Sequence, residues 1–256
     1  MLSLVKKVMK RVIPTSQHAR VAFFMRGIGS YCYHGNRFVC PCCKRRFREL
    51  LPYRDLVLNA VCPRCDSHAR HRLMWLYLID KKKIMERQIK LLHFAPEPML
   101  GKFLCALPNI EYLSADLDSP LAMIKMDITD IPYPAESFDA ILCSHVLEHV
   151  PDDRKAMSEM LRVLKPGGWA ILQVPIAYDR KQTFEDSTIV SPEDRLKFYG
   201  QEDHVRFYGL DYAERLRAVG FEVNVDGYVR ELDSILSKKY ALNLQEDIYL
   251  CSKPVR

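Results

Sequence analysis

Between Asp127 and Pro175 the chain spells two strands around one helix, and few folds accommodate that order. Phe138 to Leu142 is an apolar run entered by Ser137 and left at Cys143-Ser144, the pattern of a strand buried on both faces of a parallel sheet. From Asp152 onward, Ala156, Met157, Met160, Leu161 and Leu164 recur at helical spacing until Pro166-Gly167-Gly168 stops the helix. Trp169 to Val174 restores a strand. Open sheets built this way bind ligands beyond the carboxyl ends of their strands, so chemistry is expected directly after Leu142.

In finer detail the same stretch resembles the second half of a class I S-adenosylmethionine (SAM) methyltransferase. The residues that carry the resemblance are Asp127, Ile131-Pro132-Tyr133, Ser137-Phe138-Asp139, His145 to Val150, Glu159, and Arg162 to Gly168 followed by Ala170 to Val174. The resemblance implies an α/β, Rossmann-like fold with a seven-stranded sheet over residues 85–256, about two thirds of the chain. It also implies a set of cofactor contacts. Asp116, at the end of the Tyr112 to Ala115 strand, matches the acid for the ribose hydroxyls, with Leu117 beside it; Asp127 matches the acid that meets the adenine amino group, with Ile128 supplying a backbone contact. Cys143, Ser144 and His145 would line the methionyl end.

One part of the family pattern is missing. After its first strand the family has an acid and three alternating glycines, whereas this chain reads His93-Phe94-Ala95-Pro96-Glu97-Pro98-Met99. His93 replaces the acid, Ala95 the first glycine, Glu97 the second and Met99 the third. Glycine tolerates positive φ and leaves room for a ligand; two prolines fix a rigid path. Either Phe94, Ala95, Pro96 and Glu97 still cradle the methionyl part of SAM, with Glu97 or a backbone carbonyl receiving the ammonium group, or the site does not bind SAM.

The N-terminal third carries a different signal. Cys40-Pro41-Cys42-Cys43 and Cys62-Pro63-Arg64-Cys65 form two C-x2-C pairs separated by 18 residues, the spacing of a structural zinc site. Cys40, Cys43, Cys62 and Cys65 would close a tetrahedron about Zn²⁺ and leave no open position for catalysis. Cys42 is the spare thiol, His68 and His71 are near enough to substitute for a cysteine, and an iron centre suits the same sulfurs. Buried free thiols are the plain alternative.

His145-Val146-Leu147-Glu148-His149 sets His145, Glu148 and His149 at i, i+3 and i+4, on one face if the segment is helical. Metal-dependent members of the resembling superfamily carry E-x-x-E-H here and bind Mg²⁺. With His145 in place of the first Glu, a second divalent metal at His145, Glu148, His149 and His204 would be a softer ion. A hydrogen-bonded Glu148-His149 pair without metal is the competing reading, with His145 and His204 as candidate catalytic bases. The polar, aromatic-rich stretch 176–209 is longer than an ordinary connection and is expected to cover the acceptor pocket. Its candidate substrate contacts are Tyr178, Glu185, Asp203, Arg206 and Tyr208.

Charge is uneven. Residues 1–48 hold 11 Lys or Arg and no acid, while the rest holds 27 basic against 32 acidic residues. Leu4, Val5, Val8, Met9 and Val12 interleave with Lys6, Lys7, Lys10 and Arg11 as a basic amphipathic helix, read as packing on its own domain, peripheral contact with a membrane or anionic partner through residues 1–12, or a targeting peptide. No apolar run approaches the roughly 20 residues of a transmembrane segment. The divisions are thus 1–32, a basic segment; 33–72, a zinc ribbon; 73–84, a connecting helix; and 85–256, the methyltransferase-like domain, with a cytoplasmic location expected. The function expected is methylation of an O or N atom on a small-molecule or glycan-type acceptor. RNA methylation, with the ribbon and Lys44, Arg45, Arg46 and Arg48 on nucleic acid, is the alternative, and a non-catalytic SAM-fold binding protein is the third.

Overall fold

The computed structural model describes residues 26–53 and 57–255, so the basic stretch Leu4 to Val12 lies outside the described residues. The chain divides into two compact units: the residues up to Lys82 together with Val229–Glu246, and Lys83–Tyr228 together with the residues from Asp247 onward. Residues 229–246, inside the sequence range 85–256, thus belong to the first unit.

In the first unit β1 (His34–Val39) pairs antiparallel with β2 (Arg46–Phe47), and β3 (Leu51–Tyr53) with β4 (Val57–Val61). Each C-x2-C pair follows a strand, β1 or β4. Helix α1 (Ala69–Asp80) buries Leu73, Met74, Trp75, Tyr77 and Leu78, and it starts at His68, whose backbone N–H donates to Nδ1 of His71 at 3.2 Å. His68 and His71 are used in this cap and stand outside the cysteine cluster.

The second unit is built on β5 (Ile89–Phe94), β6 (Ile110–Asp116), β7 (Ile124–Lys125), β8 (Phe138–Ser144) and β9 (Leu164–Gln173), all parallel, closed by β10 (Glu222–Asp226) and β11 (Ile248–Ser252) as an antiparallel pair. The order β10-β11-β9-β8-β5-β6-β7 makes the expected seven-stranded Rossmann-like sheet. Its order reverses between β5 and β8, where Phe94 lies opposite Cys143, and such a switch point is where an open α/β sheet leaves a crevice. Helix α2 (Pro98–Cys105) follows β5, and α3 (Asp153–Val163) follows β8.

Asp152 caps α3 by accepting from the Lys155 backbone N–H at 2.9 Å, and Ala156, Met157, Met160 and Val163 are fully buried beneath it. The helix stops at Val163, earlier than the Pro-Gly-Gly signal. β9 starts at Leu164 and runs through Gly167 and Gly168, because Gly167 N–H donates to the Lys253 carbonyl and Lys253 N–H to that of Gly168. Stretch 176–209 contains α4 (Pro192–Tyr199), capped by Ser191. Helix α5 (Tyr212–Val219) closes at Gly220, whose φ of 114° a residue with a side chain rarely adopts. Among the described residues no helix is long and apolar enough to cross a membrane.

Candidate functional site

The carboxyl ends of β5, β6 and β8 carry Phe94 to Glu97, Asp116-Leu117 and Ser144-His145 of the sequence-predicted residues. Beyond β5 the chain turns at Ala95 with φ of 46°, and Ala95 N–H donates to the Ala115 carbonyl at 2.9 Å. The position of the family's first glycine therefore keeps a left-handed backbone without glycine. That conformation costs an alanine about 1 kcal/mol. Ala95→Gly should accordingly stabilise the protein against chemical denaturation by about that amount; a loss of stability would mean that the methyl group packs favourably enough to outweigh the strain.

Asp116 ends β6 half-buried, and its Oδ1 accepts from the backbone N–H groups of Asp118 and Ser119 at 2.8 and 2.7 Å, which curls the next loop into a groove that includes Leu117, Ser119 and Met123. Asp127 is exposed and bends its own turn, accepting from the Thr129 N–H and hydroxyl; these two bonds hold its carboxyl below the ordinary carboxylate range. Ile128 is buried behind it, and Ser144 is buried at the end of β8.

The segment after β8 departs from the expected helix. Residues 145–149 form a turn, begun by His145 at φ of 56° with its N–H on the Gln173 carbonyl, and α3 starts only at Asp153. The turn gathers a different set. Glu148, His149 and His204 each offer a ligand atom, and these atoms lie within 4.8 Å of one another. His145 stands outside that set, its Nδ1 3.2 Å from Glu148 Oε1 without the geometry of a hydrogen bond. Val205 N–H donates to the Glu148 carbonyl at 2.9 Å, which fixes His204 beside the turn.

The electrostatics of this cluster are unusual. Glu148 is 1% exposed and His204 2%, yet neither Glu148 oxygen and neither His204 ring nitrogen has a hydrogen-bond partner. A buried ionisable group left so is costly, by several kcal/mol for a charge. Burial lowers the pKa of His204 and favours the neutral, ligating ring. His149 Nδ1 lies 3.3 Å from both the Asp203 backbone carbonyl and Asp203 Oδ2, so Asp203 orients the imidazole beside the cluster. Two imidazoles and a carboxylate with orphaned lone pairs fit a divalent ion of intermediate softness, and fit Mg²⁺ poorly.

Three of the expected substrate contacts are engaged within the protein instead. Arg206, 3% exposed, donates to the carbonyls of Leu147, Val150 and Pro151 and to Glu185, while the Tyr208 hydroxyl donates to Asp153 at 2.7 Å. Arg215 completes this network by binding the buried Asp153 and the exposed Glu185. Arg206 and Tyr208, buried, and Glu185, exposed, thus form a network that braces the turn carrying Glu148. Asp153 and Arg215 were invisible as site residues, because nothing local in the sequence marks an aspartate in the first turn of a helix as a buried anchor. Tyr178 and Asp203 are exposed.

In the first unit the Cys40, Cys43, Cys62 and Cys65 sulfurs form one group, with Cys40 to Cys65 at 3.6 Å and Cys43 to Cys62 at 3.7 Å. The two knuckles repeat one backbone hydrogen-bond pattern. The Cys40 carbonyl accepts from Lys44 N–H and the Cys40 N–H donates to the Arg45 carbonyl; Cys62 does the same with Asp66 and Ser67, and Lys44 and Asp66 both have positive φ. The sulfurs sit too close to share charge evenly: neighbouring thiols, Cys42 first, drive Cys40 toward the thiolate, while Cys40 pushes Cys62 away from it. A cation would let all four ionise, and the set fits Zn²⁺. Cys42 is left over, 3.9 Å from the His71 carbonyl.

Residues 106–172 match the family model described as "Methyltransferase domain". A demethylmenaquinone methyltransferase of Clavibacter sepedonicus is 42% identical over 55 residues, 22% of each chain. A sterol 24-C-methyltransferase of Debaryomyces hansenii is 30% identical over 131 residues, 50% of this chain and 33% of that protein. A tRNA (carboxymethyluridine(34)-5-O)-methyltransferase of Arabidopsis thaliana is 31% identical over 86 residues, 29% of this chain and 21% of that protein. The chain thus spans about a fifth to a third of the length of these relatives. The solved structure of the [4+2]-cyclase SpnF superposes with a TM-score of 0.50 at 16% identity, covering 74% of this chain and 84% of the cyclase. That likeness concerns fold alone.

Proposed function

We propose that this chain, which carries a class I methyltransferase domain, transfers the methyl group of SAM to an O or N atom of a small-molecule or glycan-type acceptor. The observation that carries the reading is the position of Asp116, at the carboxyl end of the strand next to the topological switch, inside the segment that matches the methyltransferase domain. Demethylmenaquinone and sterol methyltransferases, two of the relatives, are named for small-molecule acceptors.

Methyl transfer is a displacement at the sulfonium carbon, so the protein has to align an acceptor, exclude water and take up a proton. Asp116 and Asp127 would hold the adenosine end, and Ala95 to Glu97 with Ser144 the methionyl end. Glu148, His149 and His204 would hold a divalent ion beside it, and such an ion supplies Lewis acidity that lowers the pKa of an acceptor hydroxyl or amine. His145, half-buried at the start of the turn, would accept the proton.

Calorimetric titration with SAM tests the reading. Wild-type protein should bind, and Asp116→Ala should weaken binding by about 10- to 100-fold, the loss expected for a carboxylate that accepts from both ribose hydroxyls. Heat-free titrations of the wild type at high SAM concentration would leave a non-catalytic SAM-fold protein as the surviving reading. The exposed Lys44, Arg45 and Arg48, with Arg46 beside them, support RNA as a second acceptor class. Copurifying nucleic acid that dissociates with salt would favour it.

A further inference from the structure

His93 stands where the resembling family has its acid, and it is fully buried. Both ring nitrogens are engaged: Nδ1 lies 3.0 Å from the Tyr112 hydroxyl and Nε2 lies 2.9 Å from Glu97 Oε2. The Tyr112 hydroxyl and the Glu97 carboxylate thus hold the ring from its two sides. Burial raises the pKa of the Tyr112 hydroxyl, which keeps it a donor.

The surroundings are shaped to this chain of contacts. A Cβ at position 101 would come within 2.8 Å of the Tyr112 hydroxyl, so only glycine lets α2 approach that closely. Gly101 lies one turn beyond Glu97, its N–H on the Glu97 carbonyl. Glu97 occupies the N-cap position of α2, where a carboxylate would ordinarily accept from the helix's own N–H groups, yet its side chain makes no cap bond and reaches back to His93. Because Phe94 is paired with Cys143, the turn that bears Glu97 opens at the ends of β5 and β8. Its charge is felt there: after burial and Glu148, Glu97 is a further cause that raises the Cys143 thiol.

The Glu97 carboxylate is thus held in the turn where the resembling family has glycines. We propose that His93, backed by Tyr112, is a positioning residue that aims the Glu97 carboxylate at the ammonium group of the cofactor's methionyl arm. The inference rests on the SAM-binding reading above and deepens it, by assigning recognition of the amino-acid end of the cofactor to a buried Tyr112-His93-Glu97 relay.

Two ligands separate this from a structural role. S-adenosylhomocysteine carries the ammonium group, whereas 5′-methylthioadenosine has the same adenosine and thioether without the amino-acid end. In calorimetry on the full-length protein, Glu97→Gln should weaken S-adenosylhomocysteine about 10- to 100-fold, as befits a lost charge-assisted hydrogen bond, and leave methylthioadenosine within about twofold. Tyr112→Phe keeps the ring and removes the hydroxyl, and it should weaken S-adenosylhomocysteine alone, by about 3- to 10-fold. Equal losses for both ligands, or no loss of S-adenosylhomocysteine in either variant, overturn the relay. A wild-type protein that binds neither ligand overturns the cofactor reading itself, and the relay with it.

Discussion

A strong zinc chelator, or the substitution Cys62→Ser, should unfold the first unit. Structural zinc sites made of four thiolates hold on the order of 10 kcal/mol of folding free energy, more than the few kcal/mol that a ribbon of short hairpins could draw from its own core. The chain offers a clean optical test. It has two tryptophans, Trp75 on α1 in the first unit and Trp169 on β9 in the second. In a Trp169→Phe background, Trp75 is the only indole, and it is 6% exposed. Chelation should shift its emission to the red, and added zinc should restore it. Elemental analysis of the untreated protein should return about one zinc per chain. Metal-free protein with blue-shifted, chelator-insensitive Trp75 emission would rule out a structural metal.

The second large effect is expected at Glu148. In the metal-free protein this carboxylate is buried without a hydrogen bond, so Glu148→Gln should stabilise the second unit, by about 1 kcal/mol or more. The same variant should lose divalent-ion affinity by at least about 100-fold, since one of three ligands becomes a neutral amide. The two effects have opposite signs, and that is their diagnostic value. Wild-type protein should gain melting temperature on addition of Zn²⁺, Mn²⁺ or Co²⁺ under conditions that keep the cysteine site filled; Glu148→Gln should start higher and gain little. An ion-induced shift of equal size in both proteins would mean that Glu148 is not a ligand, and that its burial serves the fold alone.

The parallel strands were legible because a strand buried on both faces must be apolar throughout, as Phe138 to Leu142 and Ala170 to Val174 nearly are. The cysteine pairs were legible for a related reason, since metal geometry dictates spacing. The turn at 145–149 was not, because its residues also satisfy a helical periodicity; the backbone instead leaves β8 through a left-handed His145, a conformation that residue identity alone does not announce. The bracing role of Arg206 was not legible, because in the sequence it is one polar residue in a polar stretch offered as a substrate contact. Its burial depends on carbonyls at Leu147, Val150 and Pro151, which lie 59, 56 and 55 residues earlier. Residues 229–246 were assigned by sequence neighbourhood, and nothing between β10 and β11 indicates that their packing partners lie in the N-terminal third.

Arg72 makes that last point concrete. It is fully buried on α1, and its guanidinium donates to the carbonyls of Ala60 and Ser67 beside the cysteines, and to those of Tyr240 and Ala241. Those last two acceptors are 168 and 169 residues away in sequence. During synthesis the cysteines, α1 and Arg72 all leave the ribosome long before Tyr240 exists, so the nascent ribbon holds a guanidinium with half its partners missing. Zinc captured at that stage would sit in an unfinished site. The buried neighbour of the cysteine cluster is complete only once residues 240 and 241 have been made, which ties the packing of an N-terminal site to a segment that follows β10.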